Sequence, residues 1–338
     1  MSLKVAVVIL NWNGRKLLQQ FLPSVIRHSG SVAQVIVADN GSSDDSIAVL
    51  EKEFPSVRII RNDTNRGFTG GYNDALQYVD AEYFVLLNSD VEVTANWIEP
   101  IISLMDSDKK IGACQPKILS YHDKTSFEYA GAGGGFIDYL GYPFCRGRIF
   151  NDLEKDLHQY DDTIPVFWAT GACMFVRADV YKQLGGLDTE FFAHMEEIDL
   201  CWRMQLKGYQ VYYCGKSTVY HVGGGTLAKN NPRKTYLNFR NNLLMIYKNA
   251  GHHRSSILLK RRFFDLLAAL KFLITNGKKD AKAVLEAHRD FRKMRALYPA
   301  SMTQKSTKTP PLTIYNHSIL WDYYLCRRKK YTSLPKND

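Results

Sequence analysis

The chain of 338 residues contains 44 Lys and Arg against 34 Asp and Glu, which gives a formal net charge of +10. A hydrophobic share of 45% and a charged share of 23% are typical of globular proteins and exclude an intrinsically disordered chain. Residues 251–338 hold 19 basic and 6 acidic residues. Residues 1–250 therefore hold 25 basic and 28 acidic residues and are close to neutral. Because the positive charge is concentrated in the tail, we expect no nucleic-acid partner.

Six cysteines occur without a C-x-x-C pair, which argues against a zinc ribbon or a thioredoxin-type site. The apolar run at residues 5–10 is too short for a secretory signal, and no small-residue cleavage site follows it. The best candidate for a membrane span, residues 263–274, contains Asp265 and Lys271. We therefore expect a cytoplasmic chain with reduced thiols that does not cross a bilayer.

The first third of the chain alternates short apolar segments with segments of helical length. The predicted strands cover residues 4–10, 34–38, 57–60 and 83–87, and the predicted helices cover residues 15–28, 44–54 and 71–79. The apolar runs are continuous, which is typical of strands buried on both faces. Repeated β-α-β units predict an α/β fold with a mostly parallel sheet that binds ligands beyond the carboxyl ends of its strands.

A polar cluster follows each of these four predicted strands. The clusters are residues 11–14 (NWNG), 39–44 (DNGSSD), 65–73 (NRGFTGGYN) and 88–92 (NSDVE). Any turn uses Asn, Asp, Gly and Ser, so a single cluster would indicate only a turn. Four clusters at the same edge of a parallel sheet instead indicate a shared ligand.

The first three clusters offer groups that suit a polar or anionic ligand. Asp39 is placed to accept hydrogen bonds from a nucleobase or a ribose, with Asn11 and Asn13 beside it, although a turn or a helix cap would use the same residue. The glycine-rich 65–73 segment permits close approach to a ligand at a helix N-terminus. It has the spacing of neither a Walker A loop nor a dinucleotide-binding fingerprint.

Two further positions offer metal-binding or catalytic side chains. Asp90 is a carboxylate at a strand end, and such hard oxygen ligands suit Mg²⁺ or Mn²⁺ bound through substrate phosphates. His221 ends a later predicted strand before three glycines, and is either a structural histidine or a metal ligand. In both cases the neighbouring residues favour the metal interpretation.

Residues 194–203 (HMEEIDLCWR) place Glu196, Glu197 and Asp199 at the start of a predicted helix. A helix N-terminus stabilises carboxylates, so capping is one interpretation. The other interpretation is a general base, because the apolar neighbours would raise the pKa of a carboxyl group toward the working range of such a base.

Residues 120–160 contain the sequence Gly131-Ala-Gly-Gly-Gly135 and are predicted to form a mobile excursion. A second structured block follows at residues 166–213, and the pattern from residue 236 onward is helical.

This ordered set of motifs resembles the inverting family-two glycosyltransferases of the GT-A fold, above all their rhamnosyltransferase-like bacterial members. The resemblance covers roughly residues 4–250. The segments that carry it are residues 39–44, 65–73, 87–90, 186–192 (GLDTEFF), 196–200 (EEIDL) and 221–225 (HVGGG). It implies a GT-A catalytic domain at residues 1–250, followed by a basic helical extension at residues 251–338.

The resemblance also implies a function. The donor would be a nucleotide-diphosphate sugar, with Mg²⁺ or Mn²⁺ on its diphosphate. The sugar, rhamnose by analogy, would pass with inversion to a glycan or lipid-linked oligosaccharide acceptor in bacterial surface polysaccharide synthesis.

Carried onto this sequence, the resemblance implies a role for each site residue. The nucleotide sugar would contact Asn11, Asn13, Asp39, Asn40, Gly67, Asn73, Asn88 and Arg240. The metal ligands would be Asp90 and His221, and the acceptor would lie against Phe167 and Trp168. The catalytic base would be Glu197, with Glu196 and Asp199 as alternatives. Two positions depart from the family pattern, because Asn88 replaces the first acid of the D-x-D element and Glu197 replaces an Asp.

Two other functions remain open from the sequence. A sugar-phosphate nucleotidyltransferase also binds nucleotides on an α/β fold, but residues 11–15 (NWNGR) match its glycine-rich loop poorly. A non-catalytic subunit that binds a nucleotide sugar or a glycan would keep the fold and lose turnover.

The tail contains an amphipathic segment at residues 257–274. Its apolar residues fall within about 120° of a helical wheel. They are Leu259, Phe263, Leu266, Leu267, Leu270, Leu273 and Ile274. Most of the charged residues of this segment fall on the opposite side. Contact with an anionic membrane, at the inner face of the cytoplasmic membrane, is one interpretation, and packing on the catalytic body or on a partner subunit is the other.

Overall fold

The computed structural model describes residues 3–223, 231–298 and 313–337. Its strands are β1 (Leu3–Asn11), β2 (Gln34–Asn40), β3 (Arg58–Asn62), β4 (Ala81–Asn88), β5 (Val91–Val93), β6 (Ile111–Ser120), β7 (Gly135–Asp138), β8 (Pro143–Cys145), β9 (Arg148–Ile149), β10 (Asp152–Leu153), β11 (Thr163–Val166), β12 (Cys173–Arg177), β13 (Gln210–His221) and β14 (Ile314–Tyr315). Its helices are α1 (Arg15–Ser29), α2 (Ser46–Glu53), α3 (Gly67–Leu76), α4 (Glu99–Ser107), α5 (Ala178–Gln183), α6 (Glu196–Leu206), α7 (Pro232–Asn249), α8 (Arg254–Thr275) and α9 (Lys278–Met294). Gly224 and Gly225, the last residues of the 221–225 motif, lie outside the described residues.

Over the described residues, nine strands form a central mixed sheet in the order β11-β13-β6-β12-β4-β1-β2-β3, with β5 paired to β13. Strands β3, β2, β1 and β4 are parallel, and β12 runs antiparallel between β4 and β6. Val5, Val7 and Ile9 of β1 pack into one apolar core, while Ala6 and Val8 pack into the other. Because helices cover both faces of the sheet, successive side chains of β1 are buried from Val5 to Ile9. This explains the continuous apolar run in the sequence.

The glycine-rich segment differs from its prediction. Helix α3 begins at Gly67 rather than at residue 71, so most of this segment is helical rather than loop. A Cβ atom at Gly71 would lie 2.8 Å from Leu10 and 2.9 Å from Asn40, both on the strands beneath. The glycine therefore lets the helix approach the sheet closely.

The prediction of a mobile excursion at residues 120–160 is wrong. Within the described chain this region forms most of a second, five-stranded sheet in the order β10-β9-β8-β7-β14. A Cβ atom at Gly135 would lie 2.1 Å from the ring of Trp168, so the glycines allow this sheet to pack against the block that follows. Strand β14, from the tail, pairs in parallel with β7 and completes the sheet.

The C-terminal helices pack on the body through α7, which contacts α6, α8 and α9. Over the ranges that the structure describes, no helix combines the length and the apolarity required to cross a membrane.

The turn at residues 192–195, which leads into α6, has an uncommon backbone. Phe192, His194 and Met195 have φ angles of 63°, 70° and 72°. This left-handed region costs a residue with a Cβ atom about 1–2 kcal/mol. Such a turn persists only where its surroundings hold it.

Two adjacent side chains of α7 hold this turn. Asn241 is fully buried, and its Nδ2 donates to the carbonyl oxygens of Phe191, Ala193 and His194 at 2.9, 2.9 and 2.7 Å. Arg240 donates through Nη2 to the carbonyl oxygen of Phe191 at 3.1 Å, and through Nε to Oδ1 of Asn241 at 2.8 Å. The backbone of the turn therefore depends on the side chains of α7.

We expect the substitution Asn241→Ala to lower the free energy of unfolding by about 1–3 kcal/mol, because buried carbonyl groups lose their donor. The matched control is Asn238→Ala, one turn earlier on α7, where the Asn side chain is half-buried and makes no hydrogen bond to the described residues. Urea denaturation measures both variants. Equal stability losses in the two variants would contradict this role of Asn241.

Candidate active site

The carboxyl ends of β1, β2 and β4 form one polar edge. The strand register pairs Asn11 with Asp39 and Leu10 with Asn88. The next strand continues this edge, because Asn40 pairs with Asn62 of β3. The structure therefore brings together the four polar clusters that follow the predicted strands.

Asp39 and Asn11 form the buried floor of this edge. Asp39 is 4% exposed, and its Oδ1 accepts a hydrogen bond from Nδ2 of Asn11 at 3.0 Å, while its Oδ2 accepts one from the backbone N–H of Ser42 at 3.0 Å. Oδ1 of Asn11 is buried and has no hydrogen-bond partner among the described residues. A buried amide oxygen without a partner is uncommon, so Asn11 is a candidate contact for a ligand N–H or O–H group.

Asn13 shapes the rim of the same edge. Its Oδ1 accepts hydrogen bonds from the backbone N–H groups of Ser43 and Asp44 at 2.7 and 3.2 Å, which holds the loop after β2 against the loop after β1. A surface cleft of about 350 Å³ opens beside it, lined by residues 13–17, 44 and 45.

Asn40 and Gly67 organise the start of α3. Nδ2 of Asn40 donates to Oδ1 of Asn65 and to the carbonyl oxygen of Gly67, both at 3.0 Å. Gly67 has a φ of 72°, and a Cβ atom there would lie 2.5 Å from the ring of Phe192. Asn40 therefore links β2 to the glycine-rich segment, and Gly67 lets this segment approach the 192–195 turn.

The side chain of Asn73 makes hydrogen bonds to other parts of the chain. Its Oδ1 accepts hydrogen bonds from the hydroxyl of Tyr181 at 2.6 Å and from the N–H of Leu187 at 3.0 Å, and its Nδ2 donates to the carbonyl oxygen of Leu187 at 2.7 Å. These bonds hold the 186–187 loop, and a contact of Asn73 with the nucleotide sugar stays a prediction.

Asp90, His221 and Glu128 form a buried row. Nε2 of His221 lies 3.1 Å from Oδ1 of Asp90, and its Nδ1 lies 3.1 Å from Oε2 of Glu128. Burial would lower the pKa of His221, but the hydrogen bonds to Asp90 and Glu128 outweigh it and raise the pKa to about 10. The amide of Asn88 lies 3.5 Å from the same Nε2 atom.

A divalent cation that is shared with a substrate would have to displace the proton that Asp90 and Glu128 keep on His221. Glu128 accepts from Nδ1 of His221, which orients the ring so that Nε2 and the carboxylate of Asp90 are the two protein ligands. Within the described ranges, no group of three or more His, Cys, Asp or Glu is arranged to hold a metal. Further ligands would therefore be oxygens of a bound substrate, as is usual for Mg²⁺ and Mn²⁺ on phosphates.

The 192–195 turn presents two buried carboxyl groups at the start of α6. Glu196 is 4% exposed and Glu197 is half-buried, and an Oε2 atom of each is buried with no hydrogen-bond partner in the described chain. Burial raises the pKa of Glu197 to about 7, and burial together with the charge of Glu197 raises the pKa of Glu196 well above its usual value. These are properties of a general base near neutral pH.

Glu197 lies one backbone segment away from the end of β4. A Cβ atom at Gly171 would lie 4.0 Å from Cβ of Glu197. The next residue, Ala172, accepts a hydrogen bond from the N–H of Asn88 at 3.0 Å. The Gly171–Ala172 backbone therefore separates Glu197 from the end of β4.

Asp199 is not available as the alternative base. It is fully buried, and it accepts hydrogen bonds from Arg203 at 2.8 Å, Lys248 at 2.9 Å and Asn249 at 2.8 Å. Burial would raise the pKa of Asp199, but Lys248 and Arg203 lower it to about 2. Its role is to join α6 to α7.

The aromatic pair predicted to contact the acceptor lies in the core. Phe167 is fully buried against Trp202, with ring centroids 5.4 Å apart. Trp168 is 4% exposed and donates from Nε1 to the carbonyl oxygen of Phe136 at 3.0 Å. Both rings are buried, Phe167 against α6 and Trp168 against β7, which does not support the predicted acceptor contact.

Arg240 also differs from its prediction as a donor contact. It is 9% exposed, and both Nε and Nη2 are used in holding the segment before α6. Its observed contacts are therefore structural.

Two site residues were missed from the sequence. Glu128 occupies no motif, and it reaches His221 because its backbone N–H donates to Ile118 of β6. His194 has an Nε2 atom that is buried without a partner among the described residues, and burial, with Lys234 nearby, lowers its pKa to about 4. A neutral imidazole thus lies two residues before the carboxyl pair.

Comparison with known sequences identifies relatives of this chain. A family model described as glycosyl transferase family 2 matches residues 6–185, more than half of the chain. The N-acetylglucosaminyl-diphospho-decaprenol L-rhamnosyltransferase of Mycobacterium tuberculosis is 25% identical over 234 residues, which cover 64% of this chain and 75% of that protein. The low-salt glycan biosynthesis hexosyltransferase Agl10 of Haloferax volcanii is 24% identical over 246 residues, which cover 71% of this chain and 74% of that protein.

Solved structures share the fold. GalNAc-T7 with UDP, GalNAc and Mn²⁺ has a TM-score of 0.59 and 15% identity, covering 89% of this chain and 58% of that chain. The mannosyltransferase PcManGT of Pyrobaculum calidifontis, in complex with GDP-Man and Mn²⁺, has a TM-score of 0.52 and 14% identity, covering 88% of this chain and 81% of that chain. By its family model and its GT-A fold, this chain belongs to glycosyltransferase family 2 and is a glycosyltransferase.

Proposed function

We propose that this enzyme is an inverting glycosyltransferase that moves a sugar from a nucleotide-diphosphate donor to a hydroxyl group of a glycan or lipid-linked acceptor. Two observations support the proposal: the Asp90–His221 pair next to the end of β4, and Glu197, one backbone segment away, whose buried Oε2 atom has no hydrogen-bond partner in the described chain. We propose residues 1–250 as the catalytic domain, with residues 251–338 as its extension.

The relatives support a choice of substrates. The Mycobacterium tuberculosis protein is named for L-rhamnose and for an acceptor on a diphospho-decaprenol lipid, and the Haloferax volcanii protein is named for glycan biosynthesis. We therefore propose rhamnose as the sugar, a lipid-linked oligosaccharide as the acceptor, and surface polysaccharide synthesis as the process. The Mn²⁺ in the solved neighbours supports a divalent cation as cofactor.

Each protein group then has a task. Asn11 accepts from the nucleoside of the donor through its free Oδ1 atom, and Asp39 holds Asn11 in place. Asp90 and His221 would hold Mg²⁺ or Mn²⁺, which supplies positive charge to the diphosphate leaving group. Glu197 takes the proton from the acceptor hydroxyl as that oxygen attacks the anomeric carbon. One displacement, with the base opposite the leaving group, inverts the configuration.

A protonated Glu196 would limit the negative charge of the Glu196–Glu197 pair to a single carboxylate. Two carboxyl groups on adjacent residues do not both ionise readily in a buried place. Burial and the charge of Glu197 both raise the pKa of Glu196, so we propose that Glu196 keeps its proton while Glu197 acts as the base.

A thermal-shift panel of nucleotide-diphosphate sugars, with and without Mn²⁺, tests the donor class. A true donor at a hundredfold excess over its Kd adds about 3 kcal/mol of stability. We expect this gain to require Mn²⁺ in the wild type and to be lost in Asp90→Asn. Binding without any donor hydrolysis or transfer would favour a non-catalytic subunit, and no binding by any nucleotide sugar would contradict the proposal.

The substitution Glu197→Gln should lower the transfer rate by about 10²–10⁴-fold, because the base is lost, while donor affinity stays close to that of the wild type. Since Glu197 must lose its proton to act, the wild-type kcat should fall as the pH drops below about 7, the pKa of this group. The control is Glu190→Gln, an exposed glutamate in the preceding segment. Wild-type turnover by the Glu197 variant would rule it out as the base.

The substitution Glu128→Gln should weaken Mn²⁺ binding by about tenfold or more, because a group that orients a metal-binding histidine is altered. The control is Glu154→Gln, a carboxyl of similar burial that accepts from the hydroxyl of Tyr160. Electron paramagnetic resonance titration of Mn²⁺, with a nucleoside diphosphate present, measures both variants. Unchanged affinity in the Glu128 variant would remove this role.

A further inference from the structure

Helix α8 packs on the protein through its charged side. Arg261 is 2% exposed and Asp265 is fully buried, and they form an ion pair at 3.2 Å. Asp265 also accepts from the hydroxyl of Tyr142 at 2.8 Å and lies 2.9 Å from Nε2 of His288 on α9. Arg261 donates to Oδ1 of Asn242 on α7. The polar side of this amphipathic helix is therefore its inner side.

The apolar side of α8 faces outward. The residues of this apolar stripe are Leu259 (72% exposed), Phe263 (60%), Leu266 (51%), Leu267 (47%), Leu270 (52%), Leu273 (46%) and Ile274 (86%). An amphipathic helix of a globular protein ordinarily buries this side and exposes its charges. A contiguous exposed stripe of large apolar residues marks an interaction surface.

Cationic and aromatic residues border the apolar stripe. Exposed Lys260 and Lys271 lie along one edge of the helical wheel and exposed Arg262 along the other. Nζ of Lys271 donates to the hydroxyl of Tyr324 at 2.9 Å, which brings the exposed Trp321 and Tyr324 of the C-terminal segment to this side of the molecule. Apolar residues flanked by Lys, Arg, Trp and Tyr have the composition of a membrane-interface surface.

The charge of the tail decides which partner fits. Residues 251–338 carry 19 basic against 6 acidic residues, so a second copy of the chain on this stripe would bring two like-charged surfaces together. An anionic bilayer complements both the stripe and its cations. Helix α8 has 22 residues, and it would lie in the bilayer plane over about 33 Å.

We propose that the apolar stripe of α8 docks the enzyme on an anionic lipid bilayer, with Lys260, Arg262 and Lys271 at the level of the headgroups. The docking surface stands on its own contacts. Only its purpose, to bring the active site to a lipid-linked acceptor, rests on the proposed function.

Vesicle flotation of the full chain tests this proposal, with phosphatidylcholine vesicles that contain or lack phosphatidylglycerol. We expect the wild type to bind the anionic vesicles at least about tenfold more tightly, and added salt to weaken that binding. The double variant Leu266→Gln/Leu270→Gln should reduce partitioning by about tenfold or more. The matched control Leu285→Gln/Leu297→Gln changes two Leu residues of similar exposure outside the stripe and should bind like the wild type.

Three outcomes would overturn the proposal. They are failure of the wild type to bind anionic vesicles, equal binding to both vesicle types, and unchanged binding by the stripe variant. Analytical ultracentrifugation gives a further check, since a dimer abolished by the stripe variant would assign this face to a second copy of the chain. Donor hydrolysis in vesicle-free buffer should be the same in all variants, so a failure of docking stays distinguishable from a failure of the proposed transferase function.

Discussion

The geometry of the active site depends on the hydrogen bonds that α7 makes to the 192–195 turn. Three residues of this turn have left-handed backbone angles, and such a backbone persists only where its surroundings stabilise it. Asn241 does so by donating hydrogen bonds to two carbonyl groups of the turn. That turn fixes where α6 begins, and therefore where Glu197 lies relative to the end of β4. The next residue of α7, Asn242, contacts Arg261 of α8. One helix thus supports both the candidate base and the tail.

Buried charges around this site fall into two kinds, and the difference separates structural from chemical roles. Asp199 has a cation or an amide on each oxygen, so its ionised form is fully stabilised and its proton affinity is low. Glu196 and Glu197 are buried nearby without such partners, so their proton affinity is high. An unpaired buried carboxyl group lowers stability, and a protein retains that cost where the group has chemistry to perform.

The sequence predicted the sheet edge well, because a strand end and its polar turn are local features. It could not separate Glu197 from Asp199, since two of the three partners of Asp199, Lys248 and Asn249, lie on α7, about fifty residues away. Glu128 was invisible for a similar reason, because only the pairing of its segment with β6 brings it to His221. The sequence did not predict the burial of the aromatic pair at 167–168. Whether these rings line a pocket or fill a core depends on the second sheet, which was not predicted from the sequence.

The tail shows a related limit, since a helical wheel reveals two faces without saying which one is buried. Turning α8 by half a turn would bury the stripe, but it would leave Tyr142 and Asn242 of the body without Arg261 and Asp265. Buried polar groups without partners are costly, whereas another surface can later cover an exposed apolar group. Polar complementarity therefore selects the orientation of α8, and it leaves the stripe facing outward as a consequence.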